Sequence, residues 1–226
     1  MNTKLFARFL VLIASSALLF GCTVNFGSNP NTTVGSGKVV TESRTISGVN
    51  AVVATGSGTL VVEQGDVESL TITADDNILP LLTSTVLGGK LTLGTRPNSS
   101  FSTRSDIVYK VTVKTLNEVG ISGSANGTVT GVKADTFKVV LTGSGNLTAS
   151  GSAAAQDIMT SGSGNFHGDA LTGAKVNAKT SGSGNITVNV SEELNANTSG
   201  SGNVYYMGNP TTVNPTSSGS GNVTRK

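Results

Sequence analysis

The sequence predicts an all-β fold of the solenoid class, in which coils of about 20 residues stack on one another. The tetrapeptide Gly-Ser-Gly-Asn occurs five times, and its copies begin 18 to 20 residues apart. A variant, Gly-Ser-Ala-Asn at Gly123, extends the series by one step. Self-similarity at a fixed period of this length is typical of a solenoid, in which each repeat forms one coil. The copies begin at Gly143, Gly162, Gly182, Gly200 and Gly219 and end at Asn146, Asn165, Asn185, Asn203 and Asn222.

Apolar and polar side chains alternate around each tetrapeptide. Leu141, Val139 and Phe137 lie two, four and six residues before the first copy. Polar side chains such as Lys138 and Thr142 lie beside them. This period-2 alternation is typical of a strand with one buried face and one wet face. Four residues after the first glycine of each copy an apolar side chain returns, as Leu147, Phe166, Ile186, Val204 and Val223. Each coil is therefore predicted to contain a strand, a corner and a second strand.

The residue types of the tetrapeptide suit a corner. Glycine adopts a positive φ without a Cβ penalty, and asparagine tolerates the left-handed region better than most residues. Because equivalent corners stack, the asparagine side chains are predicted to form hydrogen bonds along the solenoid axis. Sequences rich in Gly, Ser and Asn also form disordered linkers. The apolar residues in phase on both sides of each copy argue against a linker.

The first 21 residues have the pattern of a secretory signal peptide. Lys4 and Arg8 supply a basic start, and residues 9–20 form an apolar run that is too short to span a bilayer comfortably. The segment ends in Leu-Phe-Gly-Cys, which resembles the lipobox of bacterial lipoproteins. The resemblance implies cleavage before Cys22 and thioether lipidation of its side chain. Because Cys22 is the only cysteine, no intrachain disulfide is expected.

Three segments follow from these patterns: a signal peptide (1–21), a tether (22–37) and a single domain (38–226). The tether is rich in Gly, Ser and Asn and is predicted to be flexible. Acyl chains would make the membrane a stable partner. Thr23, rather than aspartate, follows the lipidated residue, and this favours the outer membrane of the bacterial cell envelope under the sorting rule of enteric bacteria.

Within the domain, the regular repeats occupy residues 118–226, and the part before them is rich in strands but less periodic. Strands are predicted over residues 49–54, 59–63, 69–74, 90–93 and 107–114. Asp75, Asp76 and Asn77 are expected to cap a short helical turn that has Pro80 near its start. No composition shift marks a boundary between the two parts, so they are predicted to form one domain.

The charge balance argues against a nucleic-acid partner. The chain has 15 basic and 13 acidic side chains, and the signal peptide contains two of the basic ones and none of the acidic ones. The mature chain is therefore formally neutral. Nucleic-acid-binding domains usually carry a basic excess on one face.

The sequence provides little for catalysis. The single histidine, His167, follows core-facing Phe166 and is expected to point outward with Asp169, as an incidental surface pair. Gly-Ser-Gly-Asn does not match the nucleophile elbow of serine hydrolases. The acidic residues are too dispersed for a polysaccharide-cleaving site. The repeat asparagines are weaker calcium ligands than carboxylates. We therefore expect no catalytic residue, no metal site and no cofactor.

Four segments together resemble one protein family. They are the lipoprotein start, GVNAVVATGSGTLVVEQGD from residue 48, ITADDNILPLL from residue 72, and the terminal SGSGN repeats. They are similar to the putative auto-transporter adhesin, head GIN domain family, over about residues 40–226. The resemblance implies a right-handed parallel β-helix-like fold on secreted or envelope-anchored bacterial proteins. It implies no catalytic residues.

The sequence therefore favours a lipid-anchored envelope protein that acts as an adhesin or surface-interaction module. The alternatives are a structural or accessory lipoprotein facing the periplasm and, third, a polysaccharide-acting enzyme. Outward polar ladders suit a carbohydrate or protein ligand, with Tyr205 and Tyr206 as candidate recognition residues. If these tyrosines pack as a C-terminal cap, the structural alternative gains. Arg225 and Lys226 are expected either to protect the last sheet edge or to lie in an oligomer interface.

Overall fold

The structure, a computed structural model, describes residues 32–226. The predicted signal peptide, Cys22 and the first part of the predicted tether lie outside these residues. The described chain is all-β, as predicted, and its one short helical element is a 3₁₀ turn at Leu79–Leu81. No helix within residues 32–226 has the length and apolar character needed to cross a bilayer.

The strands fall into an irregular N-terminal group and a regular group. The first group consists of β1 (Thr32–Val34), β2 (Val39–Arg44), β3 (Ala51–Gly56), β4 (Thr59–Gln64), β5 (Ser69–Asp75), β6 (Leu82–Leu87), β7 (Lys90–Thr95), β8 (Ser100–Ser102) and β9 (Val108–Val113). The second consists of β10 (Glu118–Gly123), β11 (Asn126–Gly143), β12 (Leu147–Gly162), β13 (Phe166–Gly182), β14 (Ile186–Gly200), β15 (Val204–Met207), β16 (Thr212–Gly219) and β17 (Val223–Arg225).

The regular strands stack as a parallel β-solenoid of about five turns. Each strand from β10 to β14 pairs in parallel with the next, and the last turn places β15 and β16 on β14 and β17 on β15. The first glycines of successive tetrapeptides are direct register partners, from Gly123 to Gly219. The prediction of stacked 18–20-residue coils is therefore confirmed.

The core is built from columns of inward side chains, one from each coil. One column contains Val52, Val119, Val139, Ile158, Ala178 and Ala196, each at most 2% exposed. The next contains Ala54, Ile121, Leu141, Thr160, Thr180 and Thr198, all buried. The Thr180 hydroxyl donates to the Gly184 carbonyl at 2.8 Å, so a polar side chain is tolerated inside the corner. Because aliphatic and threonine side chains fill these columns along the stack, the solenoid needs few aromatic residues.

Stacking order and chain order differ in the N-terminal group. The coil formed by β3 and β4 lies between the β10–β11 coil and a coil formed by β7 and β9. Beyond the β7–β9 coil the strands become antiparallel, because β6 pairs with β7 while β5 pairs with both β9 and β2. The five strands predicted here are present, and β1, β2, β6 and β8 are additional strands that the sequence pattern did not indicate. Antiparallel strands therefore cover this end of the solenoid.

Two local predictions need correction. The predicted tether extends to residue 37, but β1 pairs with β8 and the Gly35 N–H donates to the Ser102 carbonyl at 2.7 Å. Residues 32–37 are therefore part of the folded domain. The 3₁₀ turn has proline in its first positions, as predicted, but its N-cap is Ile78, with no side-chain cap. The acidic residues before it contact the segment at residues 34–38 instead, as described below.

Candidate functional site

The tetrapeptide corners are in close backbone contact with one another. The first glycine of each copy has a positive φ, from +109° at Gly143 to +150° at Gly219. From Gly143 to Gly200, the carbonyl of this glycine accepts two N–H donors from the coil above, such as those of Ser183 and Gly184 on Gly162, at 2.8 and 3.0 Å. At the second glycine, a Cβ would overlap the backbone of the coil below, as at Gly184 against the Gly164 carbonyl oxygen. Both glycines are therefore required by the stacking, one by φ and one by space.

The corner asparagines form a hydrogen-bonded ladder along the axis. The Oδ1 atom of each asparagine accepts both the backbone N–H and the Nδ2–H of the asparagine in the next coil. The distances are 2.9–3.1 Å. Asn222 ends the series: its backbone N–H donates to Asn203, and its Nδ2 turns back to the Ser220 carbonyl. The ladder contains Asn126, Asn146, Asn165, Asn185, Asn203 and Asn222.

The corner residues therefore have structural roles in this geometry. Their side-chain hydrogen bonds connect neighbouring coils, and their glycines leave no room for a ligand between coils. A surface for recognition must lie on the outward faces of the strands, where side chains project into solvent.

The outward residue directly before each corner is a serine or threonine. We call this series the hydroxyl column, and its neighbours are register partners in adjacent coils. All of its members are exposed. Parallel strands place them about 4.8 Å apart along the axis. The hydroxyl column consists of Thr55, Ser122, Thr142, Ser161, Ser181, Ser199 and Ser218.

An open groove follows the hydroxyl column across four coils. We call it the side groove, and its volume is about 470 Å³. One wall is part of the hydroxyl column, from Thr142 to Ser199. The opposite wall consists of Val140, Met159, Lys179 and Asn197. The first two of these are half-buried, and the last two are exposed. The side groove therefore combines an apolar strip, one cation and a row of hydroxyls.

Two other depressions are lined by residues of β11 to β14 and of the segment before β10. Their volumes are about 470 and 570 Å³. The first includes Thr172 and Gly173, where the register between β13 and β14 is irregular, and the two depressions share Ala134 and Ser152. Most of the side chains around the first are Ala, Gly, Ser and Thr, which offer little to hold a ligand. The side groove is the better candidate because its two walls differ in chemistry.

The two tyrosines predicted as recognition residues do not project freely. Tyr206 is half-buried and packs against the core. The Lys226 ammonium lies 5.0 Å from the centre of the Tyr205 ring, in cation–π contact. Tyr205 is also the register partner of Thr187, which is only 3% exposed. The aromatic pair therefore covers the surface of the last coils and does not form an open aromatic cluster.

The residues considered for catalysis lie on the surface of the solenoid. His167 and Asp169 are exposed on the outward face of β13, as predicted. No group of three or more His, Cys, Asp and Glu side chains within residues 32–226 is arranged to hold a metal ion.

A buried carboxylate in the N-terminal group was missed by the sequence reasoning. Asp75 is fully buried at the end of β5, and its Oδ2 accepts the Arg104 N–H at 2.9 Å. A Cβ at Gly35 would overlap this carboxylate, so the chain after β1 lies directly against it. Next to it, Asp76 accepts from the Ser36 hydroxyl at 2.7 Å, and Asn77 accepts the Ser36 N–H at 2.9 Å. Asp75–Asn77 therefore fasten residues 34–38 to the domain.

We expect this fastening to be acid-sensitive. The N–H of Arg104, followed by the Ser105 hydroxyl, lowers the pKa of Asp75, and the Ser36 hydroxyl lowers the pKa of Asp76. Carboxylates with lowered pKa values stabilise the folded state above their ordinary pKa of about 3.9. That contribution disappears as the pH falls through the folded-state pKa. Exchange of the Gly35 backbone amide hydrogen should therefore accelerate as the pH falls below about 4, relative to the exchange rate of an unfolded chain at the same pH.

The matched variant is Asp75→Asn, which keeps an acceptor for Arg104 but removes the charge. It should exchange faster at neutral pH and lose much of the extra acid dependence. An unchanged exchange profile in the variant would show that Asp75 does not hold this segment.

The fold and its corners define the class of this protein as a parallel β-solenoid with Gly-Ser-Gly-Asn coils. The chain belongs to the family described as putative auto-transporter adhesin, head GIN domain, whose profile matches residues 48–210. None of the curated proteins compared with it is similar enough to count as a relative. Family membership is therefore assigned from a match over most of the chain.

Solved structures show the same fold at low identity. A putative adhesin from Bacteroides fragilis NCTC 9343 is 22% identical, with a TM-score of 0.69 over 85% of this chain and 99% of its own. A putative adhesin from Parabacteroides merdae ATCC 43184 is 22% identical, with a TM-score of 0.57 over 87% and 99%. A putative lipid binding protein from Parabacteroides distasonis ATCC 8503 is 22% identical, with a TM-score of 0.57 over 86% and 99%.

Proposed function

We propose that this chain is a lipid-anchored cell-envelope adhesin module that binds an extended carbohydrate or protein ligand along the side groove. The observation that carries the proposal is the continuity of the groove, which crosses four coils with the same pair of walls. A repeating surface of this kind suits a ligand that itself extends along the axis.

The chemistry of the two walls supports this assignment. The hydroxyl column offers donors and acceptors at the spacing of the strands. Val140, Met159 and the stem of Lys179 offer an apolar strip across from the hydroxyls. Ligand sites usually combine apolar contact area with a few fixed polar groups. A neutral polysaccharide or an extended peptide would use both walls.

The proposal includes no catalytic activity. The family is described as adhesins, and the only histidine lies outside the side groove. Ser and Thr hydroxyls alone lack the general base that nucleophilic catalysis requires. The proposed anchor is the lipidated Cys22, with the outer membrane as the proposed location. The short distance in sequence between Cys22 and β1 would keep the solenoid close to the membrane surface.

Substitution in the side groove should weaken ligand binding. Ser161→Arg would place a long cationic side chain in the wall formed by the hydroxyl column. There it would prevent a ligand from contacting both walls of the side groove. Thr148→Arg is the matched control, because Thr148 is exposed on the same strand but belongs to the neighbouring outward face. On a glycan and matrix-protein array, Ser161→Arg should reduce binding at least about tenfold, equivalent to ~1.4 kcal/mol. Thr148→Arg should bind like the parent protein. Equal binding by both variants would place recognition outside the side groove.

The second candidate is a structural or accessory lipoprotein that faces the periplasm. It is favoured by the packing of Tyr206 against the core and by the Lys226 contact on Tyr205, since these aromatics cap the last coils. A structural lipoprotein would use the solenoid as a stiff spacer. It would bind none of the arrayed glycans or matrix proteins, and both arginine variants would behave like the parent.

A further inference from the structure

The coil formed by β16 and β17 has one paired edge and one free edge. β16 pairs with β14, β17 pairs with β15, and within residues 32–226 no other strand pairs with either. Every coil from β10–β11 up to β14 is paired on both sides. A free edge of this kind is a template on which another strand could add.

Pro215 lies in the middle of β16, on the column position occupied by Ala196 in the coil below. The direction in which an N–H at position 215 would point follows from the backbone hydrogen bonds between neighbouring coils. The Lys138 N–H donates to Asn117 in the coil below, and successive residues of a strand point their N–H groups to opposite sides. Asn214 is the register equivalent of Lys138. The N–H of Asn214 therefore points to the coil below, and position 215 faces the free edge.

The missing donor is thus on the side where another coil would have to bind. In the coils below, the equivalent residues are Val139, Ile158, Ala178 and Ala196, each of which has the N–H that a parallel ladder uses. Proline is tolerated in a sheet when its nitrogen faces away from the neighbouring strand. Pro215 meets that condition. A strand added at the free edge would lack the hydrogen bond that an N–H at position 215 would donate.

The inward side chains of this coil also differ from those below. Ser217 occupies the column that contains Leu141 and Thr198 in lower coils, and it is exposed. Its hydroxyl donates to the Gly221 carbonyl at 2.8 Å within its own coil. Within residues 32–226, the large apolar side chains that remain exposed all lie between Val34 and Leu87. The free end of the solenoid is therefore polar, as expected of a capping repeat.

We infer that Pro215 makes the β16–β17 coil a closed end, which prevents a second copy of this chain from stacking on it. Stacking of this edge on the same edge of a second copy would otherwise be favoured, because the free edge presents a row of unpaired backbone N–H and C=O groups. Contacts with partners are thereby directed to the sides of the solenoid. The two features that close this end, the missing N–H of Pro215 and the polar side chain of Ser217, both belong to the β16–β17 coil.

The test compares the oligomeric state of three versions of the mature chain, all with Cys22→Ser to remove the acyl chains. Pro215→Val restores the N–H in a residue that suits a strand. Pro210→Val is the matched control, because Pro210 lies outside the strands. Light scattering after size-exclusion chromatography should show concentration-dependent dimers or longer species for Pro215→Val alone. A cysteine introduced at Thr216 should cross-link these species and locate the contact at the free edge.

Two results would overturn the inference. One is a Pro215→Val protein that stays monomeric at every concentration while its circular dichroism matches that of the parent. The other is cross-linking through Thr216→Cys in the chain that retains Pro215. If valine disturbs folding, Pro215→Ala restores the same N–H with a smaller side chain, and the same two results decide.

Discussion

Gly182→Val should lower the free energy of unfolding by about 3–5 kcal/mol. Gly182 has a φ of +127°, and a Cβ there would overlap the carbonyl oxygen of Gly162 in the coil below. A β-branched residue resists this φ, and the backbone cannot move away without breaking the two N–H bonds that each corner carbonyl accepts. Thermal unfolding followed by circular dichroism should show a midpoint lower by roughly 10 °C.

The matched control is Ser183→Ala in the same corner. The Ser183 backbone N–H donates to Gly162 at 2.8 Å, and the substitution keeps this bond while it removes an exposed hydroxyl. Its unfolding midpoint should stay within about 1–2 °C of the parent value. Equal midpoints for Gly182→Val and Ser183→Ala would mean that the corner does not have the backbone geometry described above.

Asn165→Ala should have the second-largest effect, a loss of about 2–3 kcal/mol. Its Nδ2 donates to Asn146 at 2.9 Å, and its Oδ1 accepts from the N–H and the Nδ2 of Asn185 at 3.0 and 3.1 Å. Alanine removes all three bonds and leaves donors of Asn185 without a partner in a half-buried corner. The cost is that of unpaired polar groups and not only of lost bonds.

Asn222→Ala separates the ladder effect from the intrinsic preference of asparagine for a turn. Asn222 has the same corner position, but its side chain makes a single 3.4 Å bond to Ser220 and supports no further coil. We expect a change of about 0.5 kcal/mol or less from chemical denaturation. If the two alanine variants lost the same stability, the asparagines would act through local turn preference, and the ladder would contribute nothing.

The regular half of the fold is predictable because one short motif determines both the corner and the register. Gly143 and its equivalents each have a positive φ and are register partners in successive coils, and this aligns the strands between them. The alternation at Phe137, Val139 and Leu141 then determines which face is buried. The ladder of asparagines follows from the same alignment.

The N-terminal group was only partly predictable, since strand patterns do not reveal which strands are neighbours. The coil of β3 and β4 lies between two coils that are separated from it in sequence. β2 was missed because four of its six residues are exposed, and its alternation is therefore weak. Asp75 was interpreted as a cap because Asp is common at helix starts, whereas its partner, Arg104, is 29 residues away in sequence.

The side groove could have been found in part from the sequence. The residue before each corner glycine is always Ser or Thr, and strand alternation places it outward opposite the buried Leu141, Thr180 and Thr198. The opposite wall has no such regularity, because Val140, Met159, Lys179 and Asn197 share neither charge nor size. Only the three-dimensional register shows that these residues form a continuous strip.

The measurement that tests the proposed role most directly is protease accessibility of this protein on intact, unpermeabilised cells. A periplasmic protein serves as the control for membrane integrity, and Cys22→Ser serves as the control for anchoring. We predict that the solenoid is digested or labelled by antibody on intact cells, and that Cys22→Ser is lost from the cell fraction. Protection of the parent protein until the outer membrane is opened would contradict the adhesin role and place its partners in the periplasm.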